Sequence, residues 1–178
     1  VQTRTDTYLL ARVERKGGKL LLRQKACRID FKPVAGVKVS MDPSHLPWDT
    51  FRFEAGATGS FSGRSSVSWG EEDIDRAGNT GMTVDVDSKV CSGSLFVSNK
   101  SRTRASAGFD MTRGAFHGEA KVDIEQTVLG AEGVCLRVVA RDTAERVKGP
   151  FSYVPVPGTT TCSSLRRDGW PVDAEGGK

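Results

Sequence analysis

Phe116-His117-Gly118-Glu119-Ala120-Lys121-Val122-Asp123-Ile124-Glu125-Gln126-Thr127-Val128 decides the fold. Phe116, Gly118, Ala120, Val122, Ile124 and Val128 are apolar or small, with only Gln126 polar among them, and every residue between them is polar or charged. Period-two alternation of this length predicts one long strand with one face on a core and the other in water. Upstream, Thr103, Ala105, Ala107, Phe109 and Met111 alternate with Arg102, Arg104, Ser106 and Asp110. Thr112-Arg113-Gly114 is short enough to join the two runs as a hairpin.

The same pattern extends in both directions. Leu9 to Val13 and Leu20 to Ile29 flank Lys16-Gly17-Gly18-Lys19, and paired glycines tolerate the positive φ of a tight hairpin turn. Further strands are expected at 37–41, 51–55, up to Trp69, at 82–86, at 90–97 and at Val134 to Ala140, with a late edge strand from Phe151. Helix signals are confined to Asp142–Lys148, stopped by Gly149-Pro150, and to a turn capped by Ser164. The expected fold is all-β: an antiparallel meander β-barrel of about eight to ten strands, with one or two short helices. A β-sandwich is the alternative. Residues 1–167 read as one domain and 168–178 as a flexible C-terminal tail.

The chain has 178 residues and 37% hydrophobic content, enough for a core, and no apolar run approaches a transmembrane segment. It opens at Val1 without a Met, so a leader or lipid anchor would be one already removed or never included. Cys27, Cys91, Cys135 and Cys162 are widely spread, and His45 and His117 are the only histidines, which does not suit zinc. Two long-range disulfides suit this spacing and imply a periplasmic or extracellular, outer-membrane-associated location; the alternative is buried free thiols inside a cytosolic protein. Three pairings are open; the expected one is Cys91–Cys135 with Cys27–Cys162.

The net charge of +4 conceals a basic first segment. Residues 1–40 hold ten Lys/Arg and three acids, whereas residues 41–90 hold four and nine. Arg12, Lys16, Lys19 and Arg23 gather around the first hairpin and could face acidic lipid headgroups or another acidic polymer, although a solvated strand face with edge-protecting lysines is the plainer reading. Few aromatics lie between these charges, which disfavours nucleic acid. Trp48, in the Pro-flanked loop with His45, would either plug the sheet or contact a ligand or partner. Glu71, Asp73 and Asp75 precede a glycine turn and offer oxygens to Ca²⁺, the one cofactor considered. The loop departs from a calcium loop, because Ala77 and Val84 occupy ligand positions if Asp73 is the first, and a solvated acidic turn is the plainer reading. No nucleophile elbow, P-loop or zinc-protease motif occurs, so no catalytic residue is assigned.

Trp69…Glu71, Gly78-Asn79-Thr80-Gly81, Val84/Val86, Cys91, Gly114…Gly118, Glu125-Gln126 and Cys135 resemble uncharacterised bacterial secreted or lipoprotein-type β-domains. At fold level the meander is similar to calycin-type barrels, a resemblance that implies an apolar ligand, although the G-x-W of lipocalins is absent. The expected function is a non-enzymatic binding or envelope-associated structural module, taking a lipid, another apolar ligand or an envelope protein. The alternative is a hydrolase or lyase with a carboxylate or His at the barrel mouth.

Overall fold

The computed structural model describes residues 4–56, 59–112 and 114–172. Arg113 of the expected hairpin turn and residues 173–178 of the expected tail lie outside the described residues. Among the described residues nine antiparallel strands form the sheet: β1 (Thr5–Lys16), β2 (Lys19–Phe31), β3 (Lys38–Ser40), β4 (Asp49–Ala55), β5 (Ser60–Trp69), β6 (Met82–Asp87), β7 (Gly93–Asp110), β8 (Ala115–Ala131) and β9 (Thr143–Tyr153). A 3₁₀ turn at Pro43–His45 and two helices, α1 (Val134–Val139) and α2 (Cys162–Asp168), complete the chain. None of these helices is long and apolar enough to cross a membrane. The all-β antiparallel architecture expected from the alternation is the one observed.

The long strand β7 organises the sheet. One of its edges carries β8 and then β9. Its other edge is shared: Gly93–Val97 pairs with β6, and Asn99–Gly108 pairs with β5, which continues through β4 and β2 to β1. The path β1-β2-β4-β5-β7-β8-β9 curls into a seven-stranded half-barrel, with β6 and β3 as a side branch. The outer edges of β1 and β9 have no ladder partner among the described residues.

Two apolar clusters occupy the ends of the inner face. At the end of the barrel where the β1–β2 and β7–β8 connections lie, Leu22, Phe51, Phe53, Ala105, Ala107 and Phe116 pack with Phe61, Phe151 and Tyr153. Phe53 stacks on Phe51 at 4.6 Å and meets Phe116 edge-on at 5.0 Å. Gly63 lies directly beneath the Phe51 and Phe53 rings, where a Cβ would collide with both. At the other end Leu46, Met82 and Val97 pack with Ala26, Met41, Trp69 and Leu95.

The disulfides are Cys27–Cys162 and Cys91–Cys135, the expected pairing. Register along β1 and β2 shifts where Tyr8 opposes Arg28 and Leu9 opposes Ala26, so Cys27 is the extra residue of a bulge. Its bond to Cys162 holds α2 against β2 and buries Leu165.

Four local expectations are corrected. Val134–Val139 is helical, not a strand: Gly133, at φ 99°, turns the chain out of β8, and Leu136 and Cys135 then anchor one turn inward. Thr143–Lys148 is strand, not helix, because β8 offers an unpaired edge that satisfies its backbone through an unbroken register from Gln126–Thr143 to Phe116–Tyr153. The expected strand 90–97 and the alternating run from Arg102 to Met111 belong to one strand, Gly93–Asp110, broken only by a register shift at Phe96/Val97. Thr161 caps α2, with Ser164 at the third helical position completing the reciprocal capping box, whereas Ser164 was expected to cap.

Candidate anion-binding surface

The inner faces of the strands carry the two apolar clusters, so the alternation turns the intervening residues outward. Strand register then decides which outward side chains are neighbours. Arg52 opposes Arg64, Arg64 opposes Arg104, Arg104 opposes Lys121, and Lys121 opposes Lys148. Five cations from β4, β5, β7, β8 and β9 therefore form one row across the outer face. With strands about 4.8 Å apart, the row spans about 19 Å. All five side chains are exposed, and none forms an ion pair among the described residues.

Directly opposed like charges are destabilising in a sheet. Here four successive pairs are alike. The field of the row reaches its neighbours: Glu54 is held below its ordinary pKa first by its hydrogen bond from Lys19, with Arg64 adding to the effect. Asp123 is lowered by its 2.6 Å hydrogen bond from Arg146, and further by Arg104 and Arg102.

The positions flanking the row mix hydroxyls with charges: Glu54, Ser62, Ser106 and Glu119 stand in line on one side, and Ser66, Arg102, Asp123 and Arg146 on the other. On β5 the outward residues beside Arg64 are Ser62, Ser66 and Ser68, and Ser62 faces Ser106 of β7. No large exposed apolar side chain interrupts the row. The exposed Phe109 and Met111 sit at the β7–β8 end, and Val134, Val138 and Val139 project from α1.

The residues singled out in the sequence fall into three places. Arg12 and Trp48 meet, with the guanidinium 5.3 Å from the ring centre, and Arg23 lies opposite Arg12 in register. Lys16 and Lys19 pair at the hairpin end, where Lys19 is committed to Glu54 at 3.0 Å. His45 stands apart on the 3₁₀ turn, its Nδ1 3.1 Å from Ser44 Oγ. Asp42 caps that turn and is held below its ordinary pKa foremost by the Ser44 N–H.

The acidic loop uses its carboxylates on its own backbone. Asp73 accepts from the N–H groups of Ala77 and Gly78. Asp75, 9% exposed, accepts from Ala77 and Thr83. Glu71 is exposed, and its carbonyl accepts from Gly81 N–H. No group of three or more His, Cys, Asp or Glu side chains is gathered around a common metal position among the described residues.

Two shallow clefts lie outside the half-barrel interior. One, of about 360 Å³, lies between β2, β3 and α2 and includes Arg28, Met41, Asp42 and Arg166. The other, of about 390 Å³, lies beside α2 and includes Val156, Leu165 and Trp170. Neither His45 nor Glu71 lines either cleft.

Arg52, Arg64, Arg104, Lys121 and Lys148 were not singled out in the sequence. They are scattered through five segments, and only the register makes them adjacent. The available signal was that each occupies an outward position in mid-strand, between apolar or small neighbours on the other face. Comparison with known protein families, curated proteins and solved structures finds no match to this chain.

Proposed function

We propose that this protein is a non-enzymatic binding module that engages an anionic partner of the cell envelope or extracellular space through its outer face. The observation that carries the reading is the row from Arg52 to Lys148, which has no ion pair among the described residues. Its internal repulsion is relieved when an anion lies on it, so binding and folding favour the same occupied state. Two disulfides suit an oxidising compartment, where acidic lipids and glycans are abundant partners. The inner face supports this choice over an apolar ligand, because phenylalanines occupy one end and a second cluster the other.

The test is binding to three anionic probes: phosphatidylglycerol vesicles, polygalacturonate and single-stranded DNA, each at low and high salt. At least one binds at low salt and is released at high salt, and the Arg64→Glu/Arg104→Glu variant loses it. Absence of salt-sensitive binding to all three, or unchanged binding by the variant, overturns the proposal.

A further inference from the structure

We infer that the occupant of the cationic row is an acidic polysaccharide laid across the strands; this rests on the anion-binding reading above. Direction is the first argument. The row runs from strand to strand, around the curl of the sheet rather than along its length. A flat bilayer meets a curved sheet along a line parallel to the strands and leaves the ends of such a row unengaged. A flexible chain follows the curl and reaches all five cations.

Pitch is the second argument. Successive cations are set one strand apart, about 4.8 Å. The rise of one sugar along an extended polyuronate is close to that spacing, so the carboxylates turned toward the sheet fall within reach of the long cationic side chains. Arg52, Arg64 and Arg104 present planar forks that match carboxylates, and Lys121 and Lys148 act as point charges.

The flanking chemistry is the third argument. At its centre Ser62 and Ser106 border the row on one side, between Glu54 and Glu119, and Ser66 borders it on the other, in line with Arg102, Asp123 and Arg146. These short hydroxyls donate to and accept from sugar hydroxyls without holding the chain away from the sheet. A lipid surface would instead be served by apolar side chains within the charged patch, and the exposed ones lie elsewhere. Single-stranded nucleic acid would be served by aromatic platforms between the cations, and that stretch carries none.

Size-graded oligogalacturonates titrated into the full chain provide the test, read by calorimetry. Affinity rises with length until the oligomer spans the row, at about five sugars, and then levels off. Arg104→Ser weakens binding a few-fold, and Arg64→Ser/Arg104→Ser by roughly tenfold. Ser62→Ala/Ser106→Ala weakens the oligogalacturonate but leaves inorganic polyphosphate unaffected. Melting temperatures measured in parallel separate loss of binding from loss of fold.

Galacturonic acid monomer binding as tightly as the five-sugar chain overturns the across-strand geometry. Row-dependent binding of vesicles or DNA without oligogalacturonate overturns the polysaccharide and leaves the anion-binding reading standing. Failure of every anion overturns both.

Discussion

The phenol of Tyr153 donates a 2.6 Å hydrogen bond to Gln24 Oε1, joining the last strand to the second across the open side of the half-barrel. Gln24 Nε2 in turn donates to Asp49 Oδ2 at 3.4 Å, at the start of β4. A side-chain relay thus spans the gap where a closed barrel would have a backbone ladder. Tyr153→Phe keeps the ring in the core and leaves the partly buried Gln24 carbonyl without this donor. The expected cost is about 1–3 kcal/mol in a urea melt. An unchanged midpoint would show that water replaces the phenol freely.

The same tyrosine places an alkaline limit on stability. Burial foremost, with Asp49 adding, raises the Tyr153 pKa above its ordinary value. An unfolded phenol ionises near about 10, so above that pH the unfolded chain releases a proton that the folded chain retains. Tyr153 therefore contributes its full stabilisation below pH 10 and loses it progressively above. Melting temperature against pH should fall more gently on the alkaline side in Tyr153→Phe than in the parent; equal slopes would refute the assignment.

Gly63 faces the Phe51 and Phe53 rings so closely that alanine has no room. Gly63→Ala must displace an aromatic pair at the centre of the core. Destabilisation of roughly 1–3 kcal/mol is expected, as for other overpacked sites. Chemical denaturation checks it, and a change under half a kcal/mol would mean the rings are free to move aside.

The cationic row makes an opposite prediction for stability. Arg104 stands between Arg64 and Lys121 in register, so Arg104→Ser removes two direct repulsions against one weaker attraction, to the exposed Asp123 already paired with Arg146, and no ion pair among the described residues. A gain of a few tenths of a kcal/mol at low salt is expected, shrinking as salt is added. Loss of stability at low salt would contradict the geometry.

Removing either disulfide should cost about 2–5 kcal/mol, with Cys27–Cys162 at the upper end because it closes the longer loop. Its loss should also release α2 first, since Leu165 is buried there by the tether to β2. Limited proteolysis of Cys27→Ser/Cys162→Ser is expected to cut between residues 154 and 168 before it cuts the sheet.

Legibility from sequence followed the source of each signal. The β7–β8 alternation is a local pattern with a clear period, and it reads correctly from Phe116 to Val128. Val134–Ala140 also alternates, yet it folds as helix because Gly133 redirects the chain and the Cys91 bond anchors the turn. Thr143–Lys148 has a composition open to helix, and the free edge of β8 decides otherwise. Arg12 and Trp48 were both legible as surface candidates, though not as partners of each other. The Arg52–Lys148 row was not legible at all, because adjacency across five strands is a property of register rather than of spacing along the chain.

The Cys27–Cys162 bond, 135 residues apart, also sets how this protein responds to a pull on its two ends. Tension entering at β1 passes along the chain to Cys27, crosses the sulfur bridge and leaves through α2. The residues between them, 28–161, including the five strands that carry the cations, form a closed ring off the line of force. A stretched molecule would lose its first hairpin while the ring remained mechanically slack and able to hold its partner.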